Sequence, residues 1–447
     1  MIEQFEQLTG QPIPFKKRTS LVALDFFSKG PLGCSQFNEI MLALGYDRVS
    51  QDFFEYFFGE AITSPHQLEE GVERFRKLAM LKFGNFKFAF KRISVKQRKM
   101  IEETFEEFRF DETKLASFTN RRKPLLKLEE IKPEDAYYLG YIVEEELQQA
   151  RKQLSKGGQS TSEIDARIER MREIRSKGMR NHKTYLISDH IDVYIATSMR
   201  YHHEFVAVSN FIRKLFDHEK LQKLNLRWYD PTQVYCRERI DKGLGEGLML
   251  KRAKCTIYHA QESDTFGKDS ELATTLVQGK PVICFVPNLK DKKDFMKWIE
   301  HVLKLDNVDA LLNIMKHYYP NGAWKDQKVR NWLEGKSSPH REEVLGMIYE
   351  KAREMYENRA KTLKEFHPLG LQANLATGVA NGVMVVRKVR ECAELLYDVL
   401  VQKLEFEIEE LPYIFVLREK KTGSVYWVVT KDPLLTNSFW NFYLQEP

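Results

Sequence analysis

The spacing of apolar positions changes several times along the chain, and those changes predict its elements. Phe37–Leu44 reads as a helix stopped by Gly45, and Phe53, Phe54, Phe57 and Phe58 recur at helical spacing as core positions. Pro133–Lys156 predicts one long helix, with Pro at its start and Glu144, Glu145 and Glu146 along it, broken by Ser155–Ser160. Ile164, Ile168, Met171 and Ile174 then form one stripe, so the two helices read as a hairpin. From Asp192 to Asn288 short apolar runs alternate with amphipathic stretches. Val193–Ala196, Leu226–Tyr229, Cys255–Tyr258 and Pro281–Val286 read as strands. Between them lie helical faces carrying Phe205, Val208, Ile212 and Phe216, then Leu244, Leu248 and Leu250, then Glu271–Val277. Strands alternating with single helices imply parallel pairing through right-handed crossovers. Ligands of such sheets bind beyond the carboxyl ends of the strands, which singles out the loops beginning at Thr197, Asp230 and His259.

Beyond Pro287 the pattern is helical over Phe295–Val302, Leu311–Tyr318 and Glu342–Phe366. A small-residue segment, His367–Gly382, precedes a helix reaching Leu400. Tyr413–Leu417 and Val425–Val429 flank Lys421-Thr422-Gly423 as a hairpin, and Trp440, Phe442 and Tyr443 are expected to dock the tail. The expected class is α/β: a flavodoxin-like parallel-sheet domain over 187–290, embedded between α-rich and α+β regions. An α-rich domain covers 1–130, the hairpin 131–186, and a helical region ending in a β-hairpin 291–447.

Composition adds limits. A chain of 447 residues exceeds one ordinary core, and 43% hydrophobic with 30% charged residues is a globular composition. The net charge of +6 is small against 70 basic and 64 acidic residues, so it permits nucleic-acid binding without arguing for it. Phe83, Phe86, Phe88 and Phe90 lie among lysines and arginines within 81–100. That segment reads either as a nucleic-acid face or as an amphipathic stretch with a solvated basic side. The five cysteines are scattered without a Cys-x-x-Cys pair, which fits neither a disulfide framework nor a zinc site and predicts a reducing, cytoplasmic setting. The first residues lack the charge and apolar pattern of a signal peptide, and no long apolar window predicts a membrane span.

No Gly-x-Gly-x-x-Gly follows the first strand and no Walker loop occurs, which disfavours the common dinucleotide and phosphate-loop folds. His202 and His203 are adjacent and cannot share a helix face, so no metal site is expected. Carboxylates remain. The loop after the third strand holds Glu262, Asp264 and Gly267, a glycine that lets the backbone turn, and Asp269 or Ser270 can cap the next helix. Glu271 then falls in the first helical turn, where the dipole favours its ionised form by about 0.3–1 kcal/mol. An ionised carboxylate facing an anomeric carbon is the basis of glycosyl transfer. The plainer alternative is that Glu271 complements the helix dipole and Asp264 makes a turn. Asp230 reads either as a ribose ligand or as a turn before Pro231. Arg200, Arg237 and Arg239 read either as phosphate ligands or as solvated arginines.

Tyr194-Ile195-Ala196 on the opening strand, then Asp264, Gly267, Glu271 and Ala273, then Gly279-Lys280-Pro281-Val282, resemble the motifs of the nucleoside 2-deoxyribosyltransferase family. The likeness covers residues 192–287 and extends, through topology and an acid after the third strand, to Toll/interleukin-receptor-type (TIR) domains that cleave NAD. The resemblance implies that Glu271 is the nucleophile, that Asp264 positions sugar or base, and that Tyr194 supports the nucleophile. The Asp-to-Glu spacing is one residue longer than the family pattern. Thr197, Ser198, Arg200, Asp230, Gly267 and Asp269 are then expected around the substrate. Asn374 and Asn381 would complete the pocket from outside the sheet. The implied activity is cleavage or transfer at an N-glycosidic bond of a nucleoside, nucleotide or NAD, with no further cofactor. A toxic effector of prokaryotic antiviral defence is the implied setting. Its partners would be a nucleotide-type small molecule and a second copy of the chain or a toxin regulator. The alternative is a non-catalytic module in which the crevice senses a nucleotide and signals to a partner.

Overall fold

The run Ile191–Ala196 is apolar except for Asp192 and Tyr194, and all six residues are buried as strand β1. In this computed structural model the described residues are 30–43, 51–68, 70, 126–188, 191–262, 265–306, 308–318, 331, 339–365, 379–380, 382–401, 403–412 and 415–428. The 81–100 segment, Asp264, Asn374, Asn381, Trp440, Phe442 and Tyr443 lie outside them.

Two helices, α1 (Cys34–Ala43) and α2 (Gln51–Phe58), pack through Phe37, Phe54 and Phe58, with Phe37 and Phe58 ring centroids 4.9 Å apart. The Phe53 and Phe57 side chains lie outside the described set. The single helix expected over Pro133–Lys156 is instead two pieces. A 3-10 turn spans Ala136–Leu139, and α3 begins only at Ile142 (Ile142–Lys156). The backbone leaves the helical region at Gly140 (φ −68°, ψ 142°). The guanidinium of Arg175 takes up the carbonyls of Tyr138 at 3.0 Å and Gly140 at 2.8 Å, so groups that a helix would pair internally are satisfied by a side chain. Helix α4 (Ser162–Leu186) returns along α3 after a turn at Gly158, where φ is +66°. Val143 and Leu147 meet Ile168 and Met171 between the two helices, as their stripe predicts.

The central sheet follows. After β1 come α5 (His202–Phe216), the short edge strand β2 (Trp228–Tyr229), α6 (Arg239–Arg252) and β3 (Ala253–His259). Then come α7 (Phe266–Val277) and β4 (Val282–Phe285). Helices α8 (Lys292–Leu305), α9 (Val308–Tyr318) and α10 (Pro339–Glu365) precede β5 (Val379–Ala380), β6 (Met384–Val386) and α11 (Val389–Leu400). The sheet order is β2-β1-β3-β4-β6, and every pairing is parallel. The protein is therefore α/β with a flavodoxin-like sheet. Its fifth strand comes from beyond residue 290, from a three-residue run that the pattern of the sequence did not reveal.

Side chains alternate across β1 and β3 into two cores. Val193, Ile195, Cys255 and Ile257 pack under α5 and α11. Tyr194, Ala196, Tyr258 and Ala260 pack on the other face with residues of α6, α7, α8, α9 and α10. A separate antiparallel sheet, ordered β5-β9-β8-β7, comprises β5, β7 (Phe406–Glu410), β8 (Phe415–Glu419) and β9 (Val425–Val428), and contains the expected hairpin. Among the described residues no helix is long and apolar enough to cross a membrane. The five cysteines are buried and form no disulfide.

Candidate active site

Beyond the carboxyl end of β1 lies a cleft of about 930 Å³, closed on one side by the 3-10 turn and α3 and on the other by α6 and α7. Tyr194 and Glu271 both reach it. The Tyr194 hydroxyl donates to Oε1 of Glu271 at 2.7 Å. The Tyr194 ring is fixed from behind by stacking on Tyr229 at 5.2 Å and 10°, and Tyr229 meets Tyr185 edge-on. A rigid aromatic stack thus aims one hydroxyl at one carboxylate.

Glu271 does not sit in the first turn of its helix. Helix α7 starts at Phe266 and is capped by Thr265, whose Oγ1 accepts the amide N–H of Lys268 at 3.2 Å. Asp269 and Ser270 are not caps. Asp269 accepts a hydrogen bond from the Tyr258 hydroxyl at 3.0 Å, and Ser270 donates to the Phe266 carbonyl at 2.7 Å. Glu271 therefore lies a turn deeper, past the reach of the dipole. The expectation that it stays ionised is reversed. Burial, with the Glu246 carboxylate nearby, pushes its pKa up to about 8, against the lowering effect of the Tyr194 hydrogen bond. Glu246, from α6, is itself raised by burial, with Lys242 opposing from 3.7 Å.

Glu246, Lys242 and Arg167 are among the cleft residues that sequence reasoning missed. A signal was present in Gly243-Leu244-Gly245-Glu246-Gly247. Glycines inside a helix cost about 1 kcal/mol each relative to Ala and so call for a reason. At Gly245 the reason is close packing, since a Cβ there would lie 2.4 Å from Cε1 of His182. Gly243 and Gly247 have open space around them.

The other expected site residues divide. Thr197, Ser198, Arg200 and Gly267 line the cleft. Thr197 and Ser198 are held by Gln261, which accepts from the Thr197 hydroxyl at 2.8 Å and the Ser198 amide at 2.6 Å and donates to the Ser198 carbonyl at 2.8 Å. Gly267 is helical rather than a turn glycine, so what it contributes there is the lack of a side chain. Asp230 is not in the cleft wall. It caps a 3-10 turn (Pro231–Gln233), accepting from the Thr232 amide and hydroxyl, and burial pushes it up to about 6. Asp269 is tied to Tyr258 outside the lining. Arg239 borders the cleft, with its guanidinium 5.1 Å from the Tyr141 ring centre, whereas Arg237 faces a neighbouring surface hollow. Lys268 is buried and donates to the His259 carbonyl at 3.0 Å. Lys280, of the Gly-Lys-Pro-Val motif, is buried outside the cleft. It donates to the Leu250 and Lys251 carbonyls at 3.2 and 2.7 Å, at the end of α6. Gly279 before it adopts φ +74°, a conformation that favours glycine.

Among the described residues no cluster of three or more His, Cys, Asp or Glu side chains is placed to hold a metal ion. No protein-family model matches the chain, and no curated protein or solved structure matches it.

Proposed function

We propose that the cleft cleaves or transfers at the N-glycosidic bond of a nucleotide-type substrate. The observation that carries this reading is the Tyr194–Glu271 hydrogen bond at the carboxyl edge of the sheet, with a second acid, Glu246, in the same cleft. Burial raises the proton affinity of both carboxyls, and the nearby Glu246 raises that of Glu271 further; two acids so placed can divide the work of such a reaction. One, ionised, faces the anomeric carbon. The other keeps a proton for a leaving base that needs one.

In the proposed step the bond from the anomeric carbon to the base nitrogen breaks and its electron pair leaves with the base. Positive charge develops on the sugar, and the Glu271 carboxylate stabilises it or bonds to it. Water or an acceptor hydroxyl then takes the sugar. The raised proton affinity of Glu271 confines this role to molecules in which it has lost its proton, and the developing cation beside it favours that anion. Tyr194, held by its ring stack, orients the carboxylate. Arg167, Arg200 and Arg239 on the walls favour a substrate carrying phosphate over a bare nucleoside. This fits NAD or a nucleotide, and it is the chemistry implied by the resemblance to nucleoside 2-deoxyribosyltransferases and TIR-type domains. Action as an effector in antiviral defence, with a second copy or a regulator as partner, belongs to the same proposal.

The alternative of a non-catalytic nucleotide sensor predicts Arg200 or Arg237 converging on a phosphate, with Glu271 capped or salt-bridged; Arg200 lines the cleft and Arg237 faces the neighbouring hollow. Against it, Glu271 lines open space and forms no ion pair among the described residues. The test is incubation of the purified chain with a nucleotide panel and NAD, followed by chromatography for free base. Release by the wild type and its loss in Glu271→Gln supports the reading. Equal release by both proteins would overturn it.

A further inference from the structure

Tyr194 and Tyr229 are partners in register on the parallel strands β1 and β2, and their rings stack at 5.2 Å and 10°. Both belong to the core on the side of the sheet that α6 and α7 cover. Registered residues of parallel strands point the same way, so the stacked rings carry their hydroxyls out on one side of the sheet. There the likeness ends. The Tyr194 hydroxyl donates to Glu271. Tyr185, the third ring of the stack, donates to the Trp228 carbonyl at 2.9 Å and accepts the Asp230 amide at 3.2 Å. The Tyr229 hydroxyl is buried and has no hydrogen bond among the described residues. A buried hydroxyl without a partner is costly and calls for a reason.

Glu246 supplies one. Helix α6 packs on β1 and on α4, and Gly245 lets it lie close, since a side chain there would collide with His182. Glu246 is the next residue. Burial pushes both phenols well above their ordinary value, and the carboxylate that adds most is Glu271 for Tyr194 and Glu246 for Tyr229. Both phenols therefore keep their protons and remain donors. The other groups that face Glu246 are Lys242 on its own helix, Glu271 on α7, Tyr194 on β1, Cys236 after β2 and Tyr141 before α3. Lys242 stands 3.7 Å away. The hydroxyls of Tyr194 and Tyr141 are spent on Glu271 and on the Cys236 carbonyl. Tyr229 is the hydroxyl left over.

We propose that Tyr229 is a positioning residue for Glu246, its hydroxyl donating to the carboxylate that Glu246 becomes on giving up a proton. The step rests on the glycosidic reading of the cleft. As the glycosidic bond breaks, its electron pair leaves with the base, and a ring nitrogen of the base takes the Glu246 proton. The electron pair of the broken O–H bond stays on Glu246, and the Tyr229 hydroxyl turns to it. This contact strengthens as the proton leaves, so it lowers the barrier rather than tightening the bound substrate. A base that departs with a proton gains from it. Nicotinamide leaves the cationic ring of NAD as a neutral base and needs none. The pair thus selects an ordinary nucleotide, such as AMP, over NAD.

The test is a carbon NMR titration of the full chain labelled at its glutamate carboxyls, with Glu246→Gln and Glu271→Gln assigning the two signals. Tyr229→Phe keeps the stacked ring and removes the hydroxyl. It should move the Glu246 titration up by about one pH unit and Glu271 much less, because a hydrogen bond to the ionised form favours that form. Tyr194→Phe should do the reverse. A Glu246 titration unmoved in folded Tyr229→Phe would overturn the proposal, as would a Tyr229→Phe chain that cannot fold, which would make the hydroxyl structural. Kinetics test the proton step through adenine release from AMP and nicotinamide release from NAD. Tyr229→Phe should slow the first about tenfold and leave the second nearly unchanged. Equal slowing of both, or release from NAD alone, would overturn that step. No release from either by the wild type is instead a failure of the glycosidic reading, and the titration still decides whether Tyr229 holds Glu246.

Discussion

Tyr194 and Glu271, 77 residues apart in sequence, are joined by a 2.7 Å hydrogen bond from the tyrosine hydroxyl to the carboxylate. The tyrosine comes from β1, an inner strand of the sheet, and the glutamate from the second turn of α7, so the bond ties strand to helix across the cleft.

On the glycosidic reading Glu271→Gln lowers base release by about 10²–10³-fold, since it removes the charge that meets the developing cation. Tyr194→Phe keeps the stacked ring and removes only the hydroxyl. Its expected loss is smaller, about tenfold, the scale of one hydrogen bond to a charged group. Steady-state release rates from the two variants check this order. An equal or larger loss in Tyr194→Phe would show that the hydroxyl does more than orient the carboxylate.

Stability should depend on pH through Glu271. Its folded pKa, about 8, lies above the ordinary value of 4.5. Below 4.5 both folded and unfolded chains hold the proton, and the contribution is fully present. Between 4.5 and 8 the unfolded chain releases a proton that the folded chain keeps, so this stability is lost as pH rises to about 8. Discounted for the solvent in the open cleft, the effect is roughly 1–3 kcal/mol. Glu271→Gln removes the titrating group, so its stability relative to wild type should grow from pH 5 to pH 8. Urea unfolding at a series of pH values measures the difference, and a constant difference would contradict it.

If Glu271 must lose its proton to act, kcat/KM rises with pH toward a plateau above about 8. Glu246→Gln removes the neighbouring negative charge that helps raise Glu271, so the rising limb should move to lower pH. An unmoved limb would show that the two acids act independently.

Lys280→Met should unfold more easily by about 1–3 kcal/mol, because the carbonyls of Leu250 and Lys251 lose a buried donor. KM and the pH profile should hardly change, since Lys280 lies outside the cleft. Denaturant midpoints and kinetics on the same variant separate the two roles.

Much of the scaffold is legible in the order of residues alone. Strands β1, β3 and β4 are buried on both faces, which demands nearly continuous apolar runs, and such runs stand out against the amphipathic helices between them. From that alternation follow the parallel sheet and the placing of Glu271 near its carboxyl edge, whereas Tyr194 stands out only through the family resemblance. Strand β6 is hidden because three residues carry too short a period to read. The start of α7 is hidden too, because Phe266, its first residue, is 94% exposed and Gly267 follows, so neither marks an apolar stripe. Periodicity reports which side of an element is buried, and it is silent on how close two elements stand. The packing of α6 beside α7 sets Glu246 near Glu271, and that approach, with the burial around it, raises the proton affinity of Glu271.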